Sequence, residues 1–416
     1  MPNDILLLPL LVFGLYSPAG HDDDCDFCNT ATQKTYVYFL QKLVATVEIS
    51  ENQPMSSVAD VIIHTSQFPE SIRRDLLKSL RTRRVNHKFH YDSVKQTQKW
   101  LALHQVYSPS RNDADCRRIY DDGFEAAAAK IKSKGVHMIG LGCGGGQKDT
   151  RLLKSLEVHS KEIFYTPCDV SVAMVLTARK TASAVLPEKN CFPFVCDLAT
   201  AKSMEEAAKL AQCGNRTQQR RTATVSRLVT FFGMIPNFEP QEILPKLAPL
   251  IQPKDFLLFS ANLAPGQDYA QGVRKILPQY DNALTRDWLM AFLLDLGVER
   301  RDGDLEFAAE NGQFGLKRIV ARFHFRRQRR IEMEGIEFAF CRGENIRLFF
   351  SYRYTPERVR KILARYKLEV CNQWIMKSEE EGVFLCCKRQ QRRDAARSRT
   401  TNRLFLTKLS SYSARP

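Results

Sequence analysis

Four glycines in five positions, Gly142, Gly144, Gly145 and Gly146, follow the apolar run Val136-His-Met-Ile-Gly-Leu141 and precede a helical pattern that opens near Thr150. Their chemistry lies in what they lack. Without Cβ atoms the backbone can approach a ligand closely and can turn through left-handed conformations. A buried strand, a glycine turn and a helix N-terminus together grip a nucleotide-like ligand through backbone N–H groups, although such a loop taken alone also reads as a plain tight turn. Two acids sharpen the reading. Asp169 ends the run Glu162-Ile-Phe-Tyr-Thr-Pro-Cys-Asp169, placed to accept hydrogen bonds from both hydroxyls of a ribose. Asp197 ends Phe192-Pro-Phe-Val-Cys-Asp197, where it faces a base amino group while Leu198 lies against the ring, or else caps a helix running from Ala199 to Gln212.

The elements that must hold these residues can be read in order. Further strands are expected at Arg227 to Gly233 and Asp255 to Asn262, with a helix at Pro240 to Ile251 between them. Near the end come a helix from Pro356 to Tyr366 and two strands, Leu368 to Met376 and Gly382 to Cys387, around the turn Lys377-Ser-Glu-Glu-Glu-Gly. The fold class is therefore α/β, a Rossmann-like doubly wound sheet with a C-terminal antiparallel hairpin. That finish resembles the class I S-adenosylmethionine-dependent methyltransferases, whereas nicotinamide-binding folds continue in parallel.

Composition narrows the alternatives. At 416 residues the chain can bury a large core, and two domains are expected. The net charge is +16, but half of it lies from Lys388 onward, where nine Lys or Arg face one Asp. That segment has the composition of a disordered tail, and from Lys388 to Arg399 no aromatic residue interleaves with its arginines as a nucleic-acid-stacking arm would require. The run Arg326-Arg-Gln-Arg-Arg330 reads as a solvated hairpin turn. Twelve cysteines scattered through strands and helices have the usage of a reduced, cytoplasmic protein. Cys25-Asp-Phe-Cys28 has no second pair at zinc spacing, so no metal is expected. Ile5 to Tyr16 is apolar, yet Asp4 precedes it where a signal peptide is basic, and the run is too short to span a bilayer. Neither export nor a membrane is expected.

Seven islands then carry a family resemblance. They are Lys88-Phe-His-Tyr-Asp-Ser93, Tyr107-Ser-Pro-Ser-Arg111, Gly142 to Leu153, Pro167-Cys-Asp-Val170, Arg227 to Pro240, Gln279-Tyr-Asp-Asn282 and Ser351-Tyr-Arg-Tyr-Thr-Pro-Glu357. In this order and spacing the chain, over roughly residues 70 to 388, resembles the S-adenosylmethionine-dependent histidine-specific methyltransferases. The best-known members of that family methylate the α-amino group of histidine on the way to ergothioneine. The resemblance implies S-adenosyl-L-methionine as cofactor, with Gly142 and Gly144 shaping its loop, Lys148 reaching the methionine carboxylate, Asp169 on the ribose, and Asp197 with Leu198 framing adenine. It implies Tyr107 and Asn237 as catalytic residues at the reacting nitrogen, with Tyr280, Ser351 and the position of Phe349 completing the amino-acid site. On the residues alone, Tyr91 and Trp100 read as core, Lys148 as a solvated helix-face lysine, and Asn237 as a possible cap of the helix near Pro240.

The resemblance also implies a smaller α+β substrate-binding domain made of residues 56–111 and 271–350, around a cofactor domain of 112–270 that is completed by 351–388. Residues 1–55 stay unassigned, and 389–416 form the basic tail. One departure bears on the substrate. Histidine-methylating relatives carry a glutamate two residues before the late serine, and this chain has Phe349 there. A buried imidazole N–H without its partner loses about 1–3 kcal/mol, so the expected acceptor shifts from histidine toward an apolar or aromatic amino acid. The turn Gly233-Met-Ile-Pro-Asn237 is also one residue shorter than the family's. The alternatives left standing are a nucleic-acid methyltransferase using the basic tail and a cofactor-binding relative without activity; the oligomeric state stays open.

Overall fold

The structure, a computed structural model, describes residues 60–159, 162–213 and 225–389. Six parallel strands come first: β1 (Ile62–Ile63), β2 (Gly135–Leu141), β3 (Glu162–Asp169), β4 (Phe194–Val195), β5 (Val225–Phe231) and β6 (Phe256–Asn262). Five strands then stand apart from them. β7 (Gly303–Asn311), β8 (Lys317–Phe325) and β11 (Asn345–Arg353) make an antiparallel sheet in the order β11-β8-β7, while β9 (Arg329–Met333) and β10 (Ile336–Phe340) pair as a hairpin. The chain returns to the first sheet with β12 (Leu368–Ile375) and β13 (Glu381–Lys388), both antiparallel, giving the order β1-β4-β3-β2-β5-β6-β13-β12.

The helices longer than one turn are α1 (Pro69–Thr82), α2 (Val94–Tyr107), α3 (Ala114–Lys130), α4 (Gln147–His159), α5 (Val172–Ala182), α6 (Glu205–Cys213), α7 (Pro240–Leu247), α8 (Tyr269–Ile276), α9 (Ala283–Asp295) and α10 (Pro356–Arg365). Both faces of the main sheet are covered, which is why β2 is buried at all seven residues. Its side chains alternate between two cores. Val136 and Met138 pack with Tyr120 and Phe124 of α3 and Leu152 and Leu156 of α4, while Ile139 and Leu141 pack with Leu244 of α7 and Ile362 of α10. Because β2 lies between β3 and β5, the chain leaves its carboxyl end where neighbouring connections diverge, and a crevice opens there.

Several expectations shift. The third strand shrinks to the two residues of β4, and the helix after it begins at Glu205, with Ala201 N bonded to Asp197 O in a preceding turn. The helix from Pro240 stops at Leu247 and tightens into a 3-10 turn over Ala248–Leu250, because Pro245 and Pro249 withhold the N–H groups a continuing helix needs. Glu381, read as part of a turn, is the first residue of β13 and is buried. The domain boundaries blur as well. β1, from the stretch assigned to the substrate part, is the edge strand of the main sheet, and the boundary at 350/351 falls inside β11. The run Arg326 to Arg330 precedes and opens β9, with Arg326 paired to Asp304, Arg327 and Arg329 to Asp302, and Arg330 to Glu337, so its charge is largely neutralised. The N-terminal apolar run, Cys25, Cys28 and the basic tail lie outside the described residues. Among the described residues no helix is long and apolar enough to cross a membrane.

Candidate active site

The glycine loop ends β2 at the crevice. Gly142, Gly144 and Gly146 all take left-handed φ, at +60°, +52° and +76°. Two are also confined by space: a Cβ on Gly142 would sit 2.5 Å from Met234 Cγ, and one on Gly146 would sit 2.7 Å from Ala178 Cα. Asp169 reaches under the loop from the end of β3, where one carboxylate oxygen accepts from Gly144 N at 3.0 Å and the other from Ser171 N at 3.1 Å. Burial raises its pKa, and those backbone N–H groups oppose the shift. Gly142, Gly144, Asp169, Asp197 and Leu198 all line one cleft of about 580 Å³, with His87, Tyr91, Trp100, Met174, Met234 and Phe238 among its other walls. The donor set suits the cofactor: a Cβ-free turn, a carboxylate that keeps lone pairs for a ribose, and apolar side chains for a base. Tyr91 and Trp100, expected in the core, do belong to a buried cluster and also line the cleft. Their rings meet edge to face at 5.9 Å, and Trp100 stacks on His104 at 4.8 Å.

Asp149, which sequence reading passed over, holds the loop's base. It accepts from Tyr165 Oη at 2.7 Å and Thr230 Oγ1 at 3.0 Å, tying the ends of β3 and β5 to α4. Burial pushes its pKa up to about 6. A Cβ on Gly140 would collide with its carboxylate, which explains a glycine inside the strand.

The Asp197 side of the cleft is built around a buried cation. Lys88, only 2% exposed, donates to Asp75 Oδ2 of α1 at 2.7 Å and to Ser66 O at 3.3 Å, and lies 3.4 Å from Asp197 Oδ2. Asp197 Oδ2 also accepts from Asn86 Nδ2 at 3.2 Å and Thr200 Oγ1 at 2.8 Å, and Oδ1 accepts from Ala199 N at 2.8 Å. The carboxylate thus caps the following turn as well as facing the cleft. Nothing local in the sequence marks Lys88 for burial, since a lysine beside Phe89 carries no such signal.

Lys148 is set differently from its expected role. It does not line the cleft but donates to Tyr120 Oη at 3.1 Å, with its ammonium 4.5 Å from the centre of that ring. Tyr120 in turn donates to Glu381 and lies 2.8 Å from Ser260 Oγ, which accepts from Gly233 N at 2.8 Å. Burial lowers the lysine's pKa while Glu381 holds it up. This network carries the helix after the glycine loop to the turn after β5.

The amino-acid candidates are partly brought together. Tyr280 donates to Ser351 Oγ at 3.0 Å, Asn262 Nδ2 donates to the same oxygen at 3.2 Å, and Arg353 Nη2 donates to Tyr280 Oη at 2.8 Å. Phe349 stands beside them, 6.2 Å from Tyr280, 5.7 Å from Trp288 and 5.7 Å from His87 between ring centres. A bulge at Leu348 in the β11–β8 pairing makes this possible, since it lets Leu348 and Phe349 both enter the same core. Asn237 ends a buried 3-10 turn beside β11, and its side chain makes no hydrogen bond to the described residues. Tyr107 is not brought in: it is 51% exposed in the last turn of α2 and does not line the cleft. Among the described residues no cluster suited to a metal ion is present.

An N-methyltransferase of Aspergillus flavus, imqF, is 25% identical over 287 residues, covering 67% of this chain and 73% of its own. Among solved structures, an S-adenosylmethionine-dependent methyltransferase from Clostridium acetobutylicum aligns over 70% of this chain and 98% of its own at 13% identity and a TM-score of 0.37. Magnesium protoporphyrin IX methyltransferase from Synechocystis aligns over 72% and 96% at 12% identity and a TM-score of 0.36. The model of the S-adenosylmethionine-dependent histidine-specific methyltransferases matches residues 72–388, most of the chain, and the chain belongs to that family.

Proposed function

We propose that this methyltransferase acts on the α-amino group of a free amino acid whose side chain is aromatic rather than histidine. S-adenosylmethionine supplies a methyl group already activated on a sulfonium, so the protein's work is to align a neutral amine with it and keep water out. Asp169 and the Gly142–Gly146 loop would hold the ribose side, and Asp197 with Leu198 the adenine. Asn237, whose amide has no partner among the described residues, is the group we assign to the acceptor's amine. Tyr280 and Ser351, held in register by Arg353 and Asn262, are assigned to its carboxylate end, where the Arg353 guanidinium behind Tyr280 makes an anion favourable.

The observation that carries the reading is the setting of Phe349. Where family members that methylate histidine place a carboxylate, this chain has a ring enclosed by Trp288, Tyr280 and His87. Such an enclosure favours apolar area and offers an imidazolium no counter-ion. The test is incubation with S-adenosylmethionine and the free amino acids one by one, each alongside its N-acetyl derivative, followed by mass spectrometry. Mass gains of one methyl unit on aromatic amino acids and none on the acetylated controls are expected. Methylation of histidine above all others, or of the acetylated forms, would overturn the proposal.

A further inference from the structure

One polar side chain in the cleft wall is satisfied by nothing among the described residues. Nδ1 and Nε2 of His87 are both buried, and neither has a hydrogen-bond partner among the described residues. The ring lines the cleft and lies edge-on to Phe349 at 5.7 Å and to Phe350 at 4.9 Å, with Phe238 at 6.4 Å. Burial, with His90 and Arg347 acting in the same direction, lowers its pKa to about 3. The neutral imidazole therefore presents one N–H donor and one bare nitrogen acceptor to its surroundings. A position built only for packing is filled best by an apolar side chain, because a buried donor and acceptor left unpaired destabilise the fold. His87 also joins the cleft to the ring of Phe349, so on the acceptor reading above it borders both the cofactor and the acceptor.

We propose that His87 is a specificity-determining residue that reads a polar group on the acceptor's ring. This rests on the aromatic-amine reading above and narrows it: the acceptor's ring carries its own N–H or O–H, as a phenol or an indole does. A phenol can both donate to and accept from an imidazole, and an indole N–H can donate to its bare nitrogen. A plain phenyl ring leaves both nitrogens unpaired. His87 does not serve as the base, because a nitrogen this reluctant to protonate does not take a proton from an ammonium ion. Its action is on the choice of ring.

The experiment uses pairs of acceptors that differ only in that group: tyrosine against phenylalanine, and tryptophan against 1-methyltryptophan. In the unaltered protein the polar member should be favoured in kcat/KM by about tenfold to hundredfold. His87→Leu should collapse that ratio toward one, and His87→Asn, which keeps a donor and an acceptor, should retain part of it. S-adenosylmethionine affinity by calorimetry should change far less than the ratio. Equal rates for both members of each pair in the unaltered protein overturn the inference without any variant. So does a His87→Leu protein that loses activity on both members alike, which marks a packing role, or one whose cofactor affinity falls by the same factor as its activity, which marks a cofactor contact. If the unaltered protein methylates no aromatic amine at all, the acceptor reading itself fails, and this inference with it, at a stage distinct from the variant results.

Discussion

Replacing Lys88 by Met tests how the Asp197 side of the cleft is held. The ammonium is 2.7 Å from one Asp75 oxygen and 3.4 Å from one Asp197 oxygen, and all three side chains are at most 6% exposed. At an effective dielectric near 20, these separations correspond to gross attractions of about 6 and about 5 kcal/mol. Desolvation of three charges offsets most of that in the intact protein. Removing the cation leaves the desolvation in place without the attraction, which costs about 3–5 kcal/mol. Arg74 Nε, 3.2 Å from Asp75 Oδ1, and the Asn86, Thr200 and Ala199 donors to Asp197 keep the loss toward the lower end. The expected effect is a Tm lowered by roughly 4–6 °C. Cofactor affinity should fall about tenfold, because Asp197 loses one of the groups that aim it. Thermal unfolding followed by circular dichroism and calorimetric titration with S-adenosylmethionine measure the two. The pair Lys88→Met with Asp75→Leu removes an ion pair rather than half of one and should recover much of the lost stability. A Tm within about 2 °C of the unaltered protein for Lys88→Met alone, or no recovery in the pair, would refute the buried triad as the organising feature.

Asp169→Ala should weaken S-adenosylmethionine binding by about 2–4 kcal/mol, since it deletes ribose acceptors and frees the Gly144 and Ser171 amides that now hold the loop; calorimetry showing unchanged affinity in a folded variant would contradict this. Phe349→Glu should raise the preference for histidine over aromatic amino acids by about tenfold to hundredfold, and more clearly when His87→Leu removes a competing imidazole; an unchanged ratio in competition assays would mean Phe349 does not border the acceptor. Acid should destabilise the fold. His90 and His137 are buried, with pKa values lowered to about 4 and about 3, so the unfolded chain protonates first. Their stabilisation is complete above pH 6.5 and is lost as the pH falls toward the folded values, by about 2 kcal/mol per histidine between pH 7 and 5. Asp149, raised to about 6, works in the opposite sense and offsets about 1.4 kcal/mol over the same interval. Urea midpoints that rise from pH 7 to pH 5 would show the sign to be wrong.

The cofactor half was legible because its signals are local. A buried strand, glycines at positions that take positive φ, and acids at strand ends are each set by backbone geometry within a few residues, and Gly142, Gly144, Asp169, Asp197 and Leu198 do meet in one cleft. The doubly wound class followed from the same alternation of strands and helices; the strand order came only with the structure. The other half depends on contacts between distant segments, where local pattern is silent. Lys88 looks like any surface lysine until α1 and the end of β4 close on it, and Asp149 looks like a helix-start acid until β3 and β5 supply Tyr165 and Thr230. Phe349 would alternate away from Leu348 in a regular strand, and only the bulge in the pairing with β8 brings both into one core. Tyr107 shows the converse: its motif is intact, but the turn that ends α2 leaves it exposed. Which residue types are available was decided by the chain itself; which of them are buried together, and so which charges must pair and which imidazole is left for a ligand, was decided by packing, because desolvation acts on the assembled environment and not on the sequence neighbour.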